Sequence, residues 1–229
     1  MIAKWFVTGT DTEVGKTLAS CALLQAARRA GHCAVGYKPV ASGSEMTAEG
    51  IRNADALALQ SASALPLSYQ EINPLAFLEP TSPHIISAVE RRPIDFSIMS
   101  QGLRNLERQA NWVLIEGAGG WYTPLSQSTT FADWVKAEQL PVIVVVGVKL
   151  GCINHARLTV EAILARGLTL AGWIANQIQP PSQRHAEYLA SLKQMIPARL
   201  LGEIPRLAEV NHQTPLGDYL DISQLSAGG

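Results

Sequence analysis

Short, continuous apolar runs alternate with longer stretches of helical spacing along this chain. The runs are Trp5-Phe6-Val7, Ala34-Val35-Gly36-Tyr37, Trp112-Val113-Leu114-Ile115, Val142-Ile143-Val144-Val145-Val146, Leu170-Ala171-Gly172-Trp173-Ile174 and the shorter Leu200-Leu201-Gly202-Glu203-Ile204. They are unbroken rather than alternating, as strands buried on both faces of a parallel sheet are. Helical spacing covers 17–30, 98–109, 131–138, 156–166 and 184–195. The alternation predicts right-handed βαβ crossovers and a doubly wound α/β fold, a mostly parallel sheet with helices on both faces. Ligands bind such folds beyond the carboxyl ends of the strands. The Gly- and Pro-containing clusters at 39–50, 117–124 and 180–182 follow predicted strands, so they are read as loops of that edge and not as linkers. One domain over 1–225 is expected, with 226–229 a fraying tail.

The first strand leads into Gly9-Thr10-Asp11-Thr12-Glu13-Val14-Gly15-Lys16-Thr17, and a helix-favouring segment starts at Leu18. A loop between a strand and a helix start turns several N–H groups toward one point, where the helix dipole also favours negative charge. That is a phosphate loop of the P-loop NTPase kind, with Lys16 reaching the β and γ phosphates and the Thr17 hydroxyl placed for Mg²⁺. Five residues separate Gly9 from Gly15 where the common motif has four, but the strand before and the helix after supply the required context.

Composition narrows the function classes. The 229 residues carry a net charge of −1 with 16% charged residues, which gives no basic field for nucleic acid. Cysteines 21, 33 and 152 lie far apart without Cys-x-x-Cys or nearby His spacing, which argues against a disulfide framework or a zinc site and for a reducing compartment. The first residues are too short an apolar stretch for a signal peptide, and the longest apolar run, 140–148, is about half of a bilayer span. A soluble, cytoplasmic protein without a membrane partner is expected.

The other strand ends carry candidate chemistry. Lys38 follows the second strand, with Pro39 fixing the exit of the chain and Ser42 close behind. It is either a cation turned toward the phosphate loop, able to neutralise a transferring phosphoryl group, or a solvated strand-end lysine. Trp112 to Ile115 feed Glu116 and then Gly117-Ala118-Gly119-Gly120, a Walker B arrangement with Glu where Asp is commoner. Glu116 is either a carboxylate for Mg²⁺ or a buried partner for a lysine, and the glycines admit close backbone approach. Asp55 lies on a helix expected after the Lys38 loop, and from spacing alone it is a helix-face acid. Asp11 and Glu13 are odd companions for triphosphate, and the sequence does not settle their role. After the fourth run, Gly151-Cys152-Ile153-Asn154-His155 opens a helix whose free N–H groups suit a carboxylate, unless Asn154 is an ordinary cap. The histidines show no pairing pattern and none is assigned to catalysis.

Taken in order, the segments 9–17, Gly36-Tyr37-Lys38-Pro39-Val40-Ala41-Ser42-Gly43, 116–120 and 151–155 make the chain resemble the dethiobiotin synthetases of the enterobacterial type. Glu79-Pro80-Thr81-Ser82-Pro83-His84 and Arg184-His185-Ala186-Glu187-Tyr188 extend the likeness over nearly the whole length, and it weakens after about Glu209. The longer glycine spacing is itself a feature of that family.

The resemblance implies ATP-dependent closure of a ureido ring: 7,8-diaminononanoate, CO₂ and Mg-ATP give dethiobiotin, ADP and phosphate, through a carbamate and a carbamic-phosphoric anhydride. It implies Mg²⁺ and ATP as co-substrate, and no biotin prosthetic group. By motif it puts Mg²⁺ on Thr17, Asp55 and Glu116, and makes Lys38 the catalytic lysine beside Lys16. Thr12 and Ser42 fall near the diamine. ATP is implied at Glu13 to Leu18 (Glu13, Val14, Gly15, Lys16, Thr17, Leu18), Asp55, Glu116, Gly117, Ala118 and Gly119. Adenine is implied near Asn176, Gln177, Pro205, Arg206 and Leu207, although Gln177, Arg206 and the 210–215 stretch depart from the pattern expected of close relatives. A homodimer is implied, in which Gly151, Cys152, Ile153 and Asn154 of one subunit meet the carboxylate tail of the substrate in the other, with Tyr188 nearby. Two other classes fit a phosphate loop: another P-loop amide ligase or a small-molecule kinase, and an ATP switch of the partitioning type. A kinase usually brings an Arg-rich lid, and the switches carry a second lysine early in the loop, where Asp11 and Thr12 stand here.

Overall fold

The computed structural model describes residues 2–207, 209 and 214–225. The tail expected to fray, 226–229, lies outside the described residues, as do 210–213 of the divergent stretch. The chain runs β1 (Ala3–Gly9), α1 (Lys16–Arg29), β2 (Ala34–Tyr37), β3 (Val40–Ala41), β4 (Glu45–Thr47), β5 (Gly50–Arg52), α2 (Ala54–Ala62), α3 (Tyr69–Ile72), β6 (Leu75–Ala76), α4 (Pro83–Val89) and α5 (Phe96–Glu107). It continues through β7 (Trp112–Gly120), α6 (Phe131–Ala137), β8 (Val142–Gly147), α7 (Cys152–Ala165), β9 (Leu170–Asn176), α8 (His185–Met195), β10 (Leu200–Ile204) and a 3₁₀ turn at Leu216–Tyr219.

Six strands form one sheet in the order β10-β9-β8-β1-β7-β2, every pairing parallel. All six apolar runs are strands of this sheet, which explains their lack of alternation: Val142 to Val146 are fully buried because layers cover both faces. Each such side chain contributes roughly 1.5–3 kcal/mol of burial. Around β1, Trp5 packs on Trp112 with ring centroids 4.6 Å apart, and Phe6 meets Phe131 at 5.7 Å.

Two expectations need correction. β7 does not stop at Ile115; it continues through Glu116 to Gly120, because a register shift between Val7 and Gly9 lets Gly9 of β1 pair with Gly120. The glycines read as a loop are therefore strand for four residues. α7 starts at Cys152 rather than 156, because Gly151 takes the left-handed φ of 91° at its N-cap. Cys152, Ile153 and Asn154 are its first turn. Asn154 makes no cap, since no side chain caps this helix.

Candidate active site

The phosphate loop leaves the central strand of the sheet. Gly15 caps α1 with a φ of 81°, and a Cβ there would lie 2.1 Å from Asn176 Nδ2. Asn176, at the end of β9, donates that nitrogen to the Val14 carbonyl at 2.8 Å, while its buried Oδ1 has no partner. Lys16 donates to the Asp11 carbonyl oxygen at 3.2 Å. The Asp11 carboxylate accepts from the Thr12 N–H at 2.8 Å and faces Lys149 Nζ at 3.4 Å.

Lys38 stands at the end of β2, two strands away, and is only 3% exposed. It is no solvated lysine. Its ammonium donates to Glu116 Oε1 at 2.6 Å, Asp55 Oδ2 at 3.0 Å and the Gly117 carbonyl at 3.3 Å. Thr17 donates to the same Glu116 oxygen at 3.0 Å, which ties the helix start to β7. Glu116 is fully buried, and its Oε2 has no hydrogen-bond partner. The paired-lysine reading of Glu116 thus holds, with one oxygen still unused.

A polar network not read from the sequence holds these groups. Asn53 caps α2 by accepting from Asp55 N–H at 3.1 Å, and so sets where Asp55 emerges. Its amide donates to the Ser42 carbonyl at 3.2 Å, and its N–H to Tyr69 Oη at 2.7 Å. Asn73 donates to the Lys38 carbonyl at 2.6 Å. The N-cap signal was present in Asn53-Ala54-Asp55, but nothing local marks Asn73, which acts across 35 residues.

Charge follows burial. Desolvation, and then the neighbouring Lys38 cation, lowers the Lys16 ammonium to about 8. Burial alone would also lower Lys38, but Glu116 and Asp55 outweigh it and hold its ammonium above the usual lysine value. Asp55 is shielded from water, which raises it, yet Lys38 and the hydroxyl of Thr17 pull it below the usual carboxylate range.

A cavity of about 410 Å³ is lined by Thr12, Glu13, Gly15, Lys16 and Thr17 of the phosphate loop and helix start together with Lys38, Ala41, Ser42, Asp55, Ala118 and Gly119. The predicted residues Thr12, Glu13, Lys16, Thr17, Lys38, Ser42, Asp55 and Glu116 therefore come together, with Val14 buried beneath the loop. Asn176 touches the loop through the Val14 carbonyl and does not line the cavity. Gln177 is turned to another group: it donates to Glu203, which also holds His185 Nε2 at 2.6 Å. Gly151 to Asn154, Tyr188 and Pro205 to Leu207 do not line this cavity.

Among the described residues no three His, Cys, Asp or Glu side chains gather to hold a metal. The donors that do converge, the Thr17 hydroxyl and the carboxylates of Asp55 and Glu116, are all oxygen, with Glu116 Oε2 buried and unpartnered. That set fits a hard cation that keeps much of its water, as Mg²⁺ does.

Residues 3–214 match the family model described as AAA domain. Solved structures of similar fold include a ParA family ATPase from Chlorobium tepidum TLS, with a TM-score of 0.57, 10% identity, and coverage of 96% of this chain and 91% of that one. The MinC:MinD cell division protein complex of Aquifex aeolicus gives a TM-score of 0.56 at 12% identity, covering 96% and 87%. These share the P-loop NTPase fold. Much greater similarity links the chain to ATP-dependent dethiobiotin synthetase BioD 1 of Salmonella typhimurium, 67% identical over 98% of this chain and 99% of the relative. The protein of that name from Escherichia coli K12 is 66% identical over 98% and 100%. With this identity end to end, the chain belongs to the ATP-dependent dethiobiotin synthetase family.

Proposed function

We propose that the cavity between the phosphate loop, Lys38 and Glu116 is where this chain, an ATP-dependent ligase of biotin biosynthesis, joins 7,8-diaminononanoate and CO₂ into the ureido ring of dethiobiotin. The observation that carries this reading is the pair of buried lysines, Lys16 and Lys38, that line one cavity. A carbamate and a triphosphate are both anions, and bringing them into contact requires cations fixed in a poorly solvated site.

The chemistry runs in three steps. An amine of the diamine adds to CO₂ and loses a proton, giving a carbamate. A carbamate oxygen then attacks the γ phosphorus and the bond to ADP breaks. The second amine attacks the carbamate carbon and gives up a proton, and the C–O bond to phosphate breaks as the ring closes. Lys16 holds the phosphates and Lys38 neutralises the oxygens passing between them. Thr12 and Ser42 orient the diamine from the cavity walls. Thr17, Asp55 and Glu116 would hold Mg²⁺, which offsets phosphate charge when bound. Asn176, with its free buried Oδ1, contacts the base, and the backbone of 205–207 completes that side. Gln177 takes part in base contacts only if it leaves Glu203.

A homodimer completes the site in this reading. The start of α7 offers the N–H groups of Ile153 and Asn154 outside the cavity of its own chain, while that of Cys152 is taken by the Lys149 carbonyl, and beside it Leu150 is 87% exposed. A second copy would cover that face and bring Tyr188 toward the substrate tail.

The test is phosphate release with Mg-ATP and bicarbonate, with and without 7,8-diaminononanoate, the product mass being read in parallel. Diamine-dependent phosphate and a dethiobiotin mass are expected; ATP binding without such release would refute the assignment. A second expectation concerns protons. Lys16, at about 8 without nucleotide, is pulled upward when triphosphate arrives. Binding at pH 8 then takes up about half a proton, and the uptake fades toward pH 6. Calorimetry in buffers of differing ionisation heat reads it directly.

A further inference from the structure

Asp11 joins three elements through three different atoms. Its carbonyl oxygen holds the Lys16 ammonium, one carboxylate oxygen accepts the Thr12 N–H, and the other faces Lys149. Lys149 in turn lies in the turn between β8 and α7, where its carbonyl accepts the Cys152 N–H at 3.0 Å. The two loops also meet through packing, since a Cβ on Gly147 would come within 3.0 Å of Val14. The Asp11 carboxyl is held below its usual range by the Thr12 N–H, against burial, with Lys149 lowering it further, so Asp11 is a carboxylate at neutral pH.

We propose that Asp11 and Lys149 are positioning residues of the phosphate loop, acting as one unit that fixes the turn carrying Thr12 and the resting place of Lys16. The proposal rests on the nucleotide reading of this loop and assigns an acid that spacing left without a role. An acid in a phosphate loop is unfavourable unless its charge is turned away from the ligand. Here Lys149 and the Thr12 N–H occupy both of its carboxylate oxygens, which leaves the neutral carbonyl on the Lys16 side. The turn is thereby tied to the loop that begins α7.

The pair is partly exposed, with side-chain exposures of 30% for Lys149 and 45% for Asp11, so its effect is modest and specific. Lys149→Met and Asp11→Asn are each expected to weaken Mg-ATP binding about fivefold, the upper range for such a pair, and to lower kcat at saturating ATP by a similar factor. Asp11→Asn keeps an acceptor for Thr12, so it removes charge alone. The double variant is expected to lose no more than the worse single one, because the two act together. Lys149→Arg, which restores the pair, is expected within about twofold of the parent.

Calorimetric affinities for Mg-ATP and diamine-dependent rates are measured for the four variants, with melting temperatures of the nucleotide-free proteins. Unchanged affinity and rate, losses that multiply in the double variant, or a lowered melting temperature with intact affinity would each overturn the proposal. If the parent protein binds Mg-ATP but shows no diamine-dependent release, the synthetase reading fails, while the binding cycle still decides the pair.

Discussion

Lys38→Met is expected to lower diamine-dependent phosphate release by about 10²- to 10³-fold, the loss typical of removing one fixed charge-stabilising group from a buried site. The same change removes the ammonium on which Glu116 depends, and Glu116 has no exposure to water. Removing one partner of a buried ion pair costs about 3–5 kcal/mol, so the variant should also unfold at lower denaturant. Glu116→Gln in the same chain relieves the uncompensated carboxylate. The Lys38→Met/Glu116→Gln double variant is therefore expected to regain much of the stability and none of the activity, which separates the two roles in one pair of measurements. Lys38 is raised in the folded state, so its contribution is fully present below its unfolded value of about 10.5 and is lost as pH climbs through the higher folded value. Denaturation midpoints should thus show no loss from this group across neutral pH and a decline only in strong alkali.

Gly15→Ala is expected to reduce Mg-ATP affinity by more than about tenfold, from two costs that add. A left-handed φ disfavours any residue with a Cβ by about 1–2 kcal/mol, and here the new methyl would meet the Asn176 amide at 2.1 Å. Asn176 must then release the Val14 carbonyl, and the loop opens where N–H groups should converge on phosphate. Fluorescence titration with an ATP analogue checks this, and unchanged affinity would contradict the assignment of the loop.

The sheet was legible because burial on both faces leaves an unmistakable signature: the runs at 34–37 and 200–204 are strands to the residue. Strand ends were harder to read. Gly117 to Gly120 have the composition of a loop, and only the neighbouring strand β1, more than a hundred residues away, supplies the pairing that extends β7 through them. The region between β2 and β7 was read least well, since β3 to β6, α3 and α4 are too short to show a period. Lys16, Lys38 and Glu116 were visible as residues that follow three apolar runs. Their convergence was not, because the sequence does not say that β7 lies between β1 and β2. Lys149 escaped notice for a related reason: its partner Asp11 is 138 positions away and joins it only through the order of strands.

That strand order also sets when the fold can begin. β1 pairs with β7 and β8, and β2 pairs with β7, so no two main-sheet strands within the first 111 residues are neighbours. As the chain leaves the ribosome, its first half can form α1 and the short elements around Lys38, yet has no ladder of the main sheet to close. β7 is the strand that turns two isolated segments into a sheet, bringing Glu116 between Lys38 and Thr17 in the same event. The first ladders of the main sheet and the cluster of Lys38, Glu116 and Thr17 are thus completed by one mid-chain segment, Trp112–Gly120.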